Sequence, residues 1–229
     1  MRIVFLHGFA AGGAVWDPYR PAFADALMPT LQFSSDGTPI LPELDEPAIL
    51  VGWSMGAMLA VEILHRQPQF VKGLLLVSSG PSFVASDIFP EGKAPSTVRE
   101  LRDAITKGDP KGLQSFQKQL FTAVEIRDGW LARFRRDIGP SLPTDPAALL
   151  AQLAFLESYR IPRQLAAVPV AVLHGDRDAI VEPAAAAAWR RLIPGAAARL
   201  VAEAGHALPF VRRDEVVAAV AALREACDA

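Results

Sequence analysis

Three residues far apart in the chain have the types needed for acyl-transfer chemistry. They are a serine in Gly52-Trp53-Ser54-Met55-Gly56, an aspartate in His174-Gly175-Asp176-Arg177-Asp178 and a histidine in Gly205-His206. A serine hydroxyl is a poor nucleophile near neutral pH, so it needs a neighbouring base to take its proton. His206 can take that proton and return it to a leaving group. Asp178 can hold the imidazole in one tautomer and stabilise its cation. Asp176 competes for this role, but Asp178 lies deeper in its loop, and Asp176 fits better as a brace for the turn. The reaction also needs backbone N–H donors aimed at the developing oxyanion. The N–H of Met55, just after the serine, and the N–H of Phe9, in His7-Gly8-Phe9, are the candidates.

These residues must be carried by elements that end at one place. Ala48-Ile49-Leu50-Val51 reads as a buried strand, and Ala57 to Leu64 as a helix, so G-x-S-x-G falls on a sharp strand-to-helix turn. A side chain at Gly52 or Gly56 would collide with the neighbouring strand or helix. Ile3–Leu6, Val71–Ser78, Pro169–His174 and Ala198–Val201 read as further strands. Helices are predicted over 15–27, 55–66 and 183–192 and from about 214, the last burying Val216, Val220 and Leu223. Thr30–Phe33 is a possible strand, and 34–47 has no convincing helix. Strands alternating with helices predict an α/β fold with a mostly parallel, doubly wound sheet. Ser, Asp and His each follow a predicted strand, in the chain order of hydrolases of this architecture. In such sheets ligands gather at the carboxyl ends of strands.

Strands vanish between Pro81 and Arg163. Residues 81–163 read as a helical insertion covering the site as a lid, and 1–80 with 164–229 as the core. Thr97 to Glu100 matches a capping box, Asp145-Pro146 reads as a helix start, and 110–121 and 127–138 look helical. The insertion has twelve Lys and Arg against ten Asp and Glu. Its excess positive charge concentrates in Lys111, Lys118, Arg127, Arg133, Arg135 and Arg136. These read either as a solvated helix face or as a docking patch for an acidic partner or phosphate group.

The remaining histidines fit structural roles: His7 tying down a loop, His65 on a helix and His174 at a strand end. The 229 residues suit one domain with an insertion, half of them hydrophobic. A formal net charge of −2 gives no reason to expect nucleic-acid binding. The single Cys227 cannot form an internal disulfide and suggests a reducing compartment. No membrane span or signal peptide is expected. The expectation is a cytoplasmic monomer with no metal or organic cofactor.

Through His7-Gly8-Phe9, Gly52 to Gly56, His174 to Asp178 and Gly205-His206, the chain resembles the α/β-hydrolase superfamily over nearly its whole length. More narrowly it resembles the BioH-type pimeloyl-[acyl-carrier protein] methyl ester carboxylesterases of biotin synthesis. That likeness rests on Trp53 before the serine, Ser78-Ser79-Gly80-Pro81-Ser82-Phe83, Asp87 to Gly92, and Gly205 to Phe210. Phe9 stands where that family often has tryptophan. The stretch 34–47 lacks the family's second crossover helix and the glycine-rich turn before it. The resemblance implies hydrolysis of a methyl ester on a pimeloyl chain borne by acidic acyl carrier protein. The basic insertion would steer that partner, and Phe9, Trp53, Met55 and Phe116 would line the acyl slot. A general small-molecule esterase or thioesterase of the same fold stays open, as does a non-catalytic ligand-binding relative.

Overall fold

The structure is a computed structural model that describes residues 1–162 and 164–228. Arg163 and Ala229, the outer ends of the expected insertion and core, lie outside the described residues. The main sheet has five parallel strands in the order β1 (Arg2–Leu6), β4 (Ala48–Trp53), β5 (Val71–Val77), β6 (Val170–Gly175) and β7 (Ala197–Val201). β4 is buried along its full length, and β5 everywhere except Lys72. Such near-continuous apolar strands belong to a sheet covered on both faces.

The register shows which helix covers which face. Gly52 pairs with Leu76 and packs against Ala57 of α1 (Met55–Arg66), so both residues face α1. Gly73 lies an odd number of residues from Leu76 and so points to the other face. There a side chain would strike Cys227 and Leu223 of α9 (Arg213–Asp228). α1 and α9 therefore cover opposite faces, as a doubly wound sheet requires. α9 buries Val216, Val220 and Leu223, as its spacing predicts.

The predicted helix over 15–27 does not form. A 3-10 helix spans Gly13–Tyr19 with Pro18 inside it, and turns follow. Pro18 and Pro21 lack the N–H groups that a continuing α-helix would use. Leu27 instead exchanges backbone hydrogen bonds with Ile3 and Phe5, lying beside the outer edge of β1. The possible strand at 30–33 shrinks to β2 (Gln32–Phe33). It pairs with β3 (Pro39–Ile40), a strand the sequence did not announce, around Gly37 in the left-handed region. No helix forms in the described residues of 34–47, as expected.

Between β5 and β6 lie α2 (Pro95–Thr106), α3 (Pro110–Gln119), α4 (Ala123–Arg127), α5 (Trp130–Asp137) and α6 (Pro146–Ser158). The Thr97–Glu100 capping box is not made. Pro95 takes the first helical position, so α2 starts earlier, after Ala94, which gives no side-chain cap. The capping box that does form is Thr122 with Glu125, at the start of α4. The expected single helix over 127–138 is broken by Gly129, at φ 86°. Asp145 caps α6 as predicted, accepting from the N–H groups of Ala147 and Ala148. Between β6 and β7 runs α7 (Ala185–Leu192), and α8 (Leu208–Val211) precedes α9.

Candidate active site

Ser54 stands between the end of β4 and the first residue of α1, at φ 56° and ψ −117°. A non-glycine residue held at positive φ is strained, and the surrounding structure must impose it. The imposing contacts are visible. Ser54 N–H donates to Val77 O at 2.9 Å, and its carbonyl accepts from Ala57 N–H at 3.0 Å. A Cβ at Gly56 would drive into the Leu6 carbonyl, and one at Gly52 into the backbone of Ala57. Gly8 lies against the turn from above. A Cβ there would sit 3.1 Å from the Trp53 ring and 3.2 Å from Ser54 Cβ.

The two expected oxyanion donors are both free. Neither the Phe9 N–H nor the Met55 N–H donates to a protein acceptor among the described residues. Met55 opens its helix, where N–H groups have no intrahelical partner. Ala10, at φ 53°, fixes the other loop by donating to Gln152 Oε1 at 2.9 Å. Gln152 is a buried residue of α6 that the sequence reading passed over. A lone amide among Leu149, Ala151 and Leu153 was the available signal.

His7 is shown to be structural. Leu31 N–H donates to its Nε2 at 2.8 Å, and its Nδ1 lies 2.8 Å from Gly8 O. Burial lowers its pKa to about 4, against the opposing effect of the Gly8 bond. The ring is therefore neutral, with Nδ1–H donating.

Asp178 and His206 meet. The aspartate Oδ2 lies 2.7 Å from His206 Nδ1, with both side chains buried. Its Oδ1 accepts from the N–H groups of Ile180 and Val181 at 2.8 and 2.9 Å. His174 Nε2 lies 3.3 Å from Oδ2 and 3.0 Å from Val181 O. Burial alone would raise the carboxyl pKa. The charge of His206, followed by hydrogen bonds from His174 and His206, outweighs burial and holds it well below the usual carboxylate range. His174 thus braces the aspartate loop, a contact that its strand-end position alone did not reveal. Asp176 lies apart, with one oxygen 4.0 Å from Arg177.

Trp53 ties the serine turn to the histidine. Its Nε1–H donates to His206 O at 2.9 Å, and the two rings lie 5.8 Å apart. No hydrogen bond joins Ser54 Oγ to His206 among the described residues. Such contacts commonly tighten only when substrate is bound. Trp53 and Met55 are both buried, packed beneath the site. Phe9 meets Phe116 of α3 edge to face, with centroids 5.4 Å apart. Phe116 also lines a cavity of about 230 Å³ between α2 and α3, beside Phe83, Leu101 and Ile180.

The basic residues of the insertion fall into three groups. Arg127 pairs with Asp128 at 3.2 Å, and Arg136 makes two bonds to Asp137, at 2.6 and 2.9 Å. Arg133 lies over the Trp130 ring at 4.8 Å. Lys111, Lys118 and Arg135 make no ion pair among the described residues. No described helix is long and apolar enough to cross a membrane.

Comparison with known proteins places the chain. Residues 3–220 match the Alpha/beta hydrolase family. A pimeloyl-[acyl-carrier protein] methyl ester esterase from Aromatoleum aromaticum is 32% identical over 93% of each chain. The biotin biosynthesis bifunctional protein BioHC of Cellvibrio japonicus is 27% identical over 95% of this chain, which spans only 46% of that protein. Among solved structures, a bromoperoxidase from Bacillus anthracis superposes with a TM-score of 0.80 at 19% identity, covering 98% of this chain and 91% of that one. An esterase from Thermogutta terrifontis gives 0.75 at 19% identity, covering 99% and 90%. At that identity the superpositions speak for the fold alone. The chain belongs to the alpha/beta hydrolase family and, within it, resembles the pimeloyl-[acyl-carrier protein] methyl ester esterases.

Proposed function

We propose that this chain is a serine carboxylesterase that removes the methyl ester from a pimeloyl chain carried on acyl carrier protein. The observation that carries the reading is the 2.7 Å contact between His206 and buried Asp178, beside the strained Ser54 turn. The substrate is suggested by the curated relatives named for that ester.

In this reading Ser54 Oγ attacks the ester carbonyl carbon while His206 Nε2 takes its proton. Nδ1–H is committed to Asp178, so Nε2 is the nitrogen left to accept. The tetrahedral oxyanion is received by the N–H groups of Phe9 and Met55. His206 then gives the proton to the departing methoxy oxygen, and methanol leaves. Water, activated by the same imidazole, cleaves the acyl-enzyme and frees the carboxylate. No step calls for a metal or organic cofactor. Residues 81–163 serve as a lid over the site, with Phe116 closing the acyl slot against Phe9.

The pairing of Arg127 and Arg136 with their own neighbours favours a second reading, a general esterase with no carrier docking. One assay separates the two. Hydrolysis of pimeloyl-acyl-carrier-protein methyl ester is compared with that of p-nitrophenyl butyrate across a salt series, with Ser54→Ala as control. Serine-dependent cleavage of the carrier-bound ester that weakens with salt supports the first reading. Cleavage of the nitrophenyl ester alone supports the second.

A further inference from the structure

Glu125 is a carboxylate with only 3% of its surface exposed, in a helix of five residues far from the sheet in sequence. A buried carboxylate is costly unless it is fully hydrogen-bonded. Its Oε2 accepts from Thr122 N–H at 2.7 Å, the ordinary reach of a capping box. Its Oε1 leaves the helix and accepts from Gly205 N–H at 3.1 Å. Gly205 directly precedes His206. On the other side of the histidine, Ala207 N–H donates to Leu120 O at 2.9 Å. The backbone flanking His206 is thus held on one side by Glu125 of α4 and on the other by Leu120, the C-cap of α3. Gly205 is required for this approach. A Cβ there would meet Glu125 Oε2 at 2.8 Å and Leu120 O at 2.9 Å.

From this geometry we infer that Glu125 is a positioning residue for His206, clamping the histidine loop to the helical insertion. The inference rests on the reading of His206 as the general base. The clamp makes the alignment of that base depend on whether α4 is docked. The histidine side chain is fixed by Asp178, its carbonyl by Trp53 and its preceding N–H by Glu125. Removing the carboxylate leaves the Gly205 N–H buried without an acceptor and frees the loop to shift. A displacement of about 1 Å at a reacting group can cost on the order of 100-fold in rate.

The test measures kcat and KM on p-nitrophenyl butyrate for Glu125→Ala, Glu125→Gln, Thr122→Ala and His206→Ala. Thermal unfolding accompanies each. Thr122→Ala weakens the same helix start but leaves the Gly205 acceptor in place. Glu125→Ala is expected to lower kcat by about 10- to 100-fold with little change in KM. Glu125→Gln, which keeps one acceptor oxygen and nearly the same volume, should recover part of kcat, and it serves as the test if the alanine variant does not fold. Thr122→Ala should keep kcat within about twofold of the parent. Parental kcat in a folded Glu125 variant would overturn the clamp. So would an equal loss of kcat in Thr122→Ala, because the effect would then come from helix stability alone. Full activity in His206→Ala would instead overturn the underlying reading of the base, whatever Glu125 does.

Discussion

The serine turn and the helical segment between β5 and β6 hold their shapes by different means. Around Ser54 the main constraints are close backbone contacts. Gly52 and Gly56 touch the main chains of α1 and β1, and the serine N–H is tied to Val77. In the insertion several glycines face open space. A Cβ at Gly108, Gly129 or Gly139 would meet nothing within 4 Å. The insertion reaches the Phe9 and His206 loops through polar bonds that include those from Gln152 to Ala10, from Glu125 to Gly205 and from Leu120 to Ala207. Close backbone contacts at the sheet edge set where Ser54 stands, and polar bonds from the insertion hold the loops around it.

Substitutions can break this contrast, starting with the strongest. Ser54→Ala and Asp178→Asn should each lower kcat by about 10³-fold or more while the fold stays intact. Active-site titration with circular dichroism would check this. Gly56→Ala comes next. Its methyl group runs into the Leu6 carbonyl, so a loss of about 3 kcal/mol is expected in urea unfolding. Gly139→Ala, in the open insertion, should change stability by less than about 0.5 kcal/mol. Equal effects at the two glycines would erase the contrast.

A third experiment sharpens the contrast within the insertion itself. Reversing the unpaired Lys111, Lys118 and Arg135 to Glu should cut kcat/KM for a carrier-bound ester by about tenfold at low salt. Reversing the internally paired Arg127 and Arg136 should cost less, and neither set should alter turnover of a short ester.

A further prediction concerns acid. His7 titrates near 6.5 in the unfolded chain and about 4 in the native one, through burial. The unfolded state therefore binds the proton first. The associated stability is fully present above about pH 6.5, shrinks as pH falls and is gone below about 4. Its upper size is on the order of 3 kcal/mol. Unfolding free energies at pH 7, 5.5 and 4.5 should show this slope, and His7→Asn should flatten it.

Sequence patterns exposed the sheet well, and the physical reason is clear. β4, β5 and β6 are buried on both faces, so they read as unbroken apolar runs. The glycines of the serine turn carry a steric requirement that is local in the chain. Asp178 could be preferred over Asp176 from loop depth, and the structure brings Asp178 to His206. The failures lie where distant contacts decide. Apolar spacing over 15–27 suggested a helix, but Pro18 and the pairing of Leu27 with β1 prevented one. Glu125 and Gln152 act across long stretches of chain, to Gly205 and Ala10, and nothing beside them in sequence marks those partners.

The most direct test of the account is labelling of folded protein with a fluorophosphonate probe, followed by peptide mapping. The account predicts one adduct, on Ser54, absent from Ser54→Ala and strongly slowed in His206→Ala. An unlabelled Ser54, or an undiminished labelling rate without His206, would contradict it.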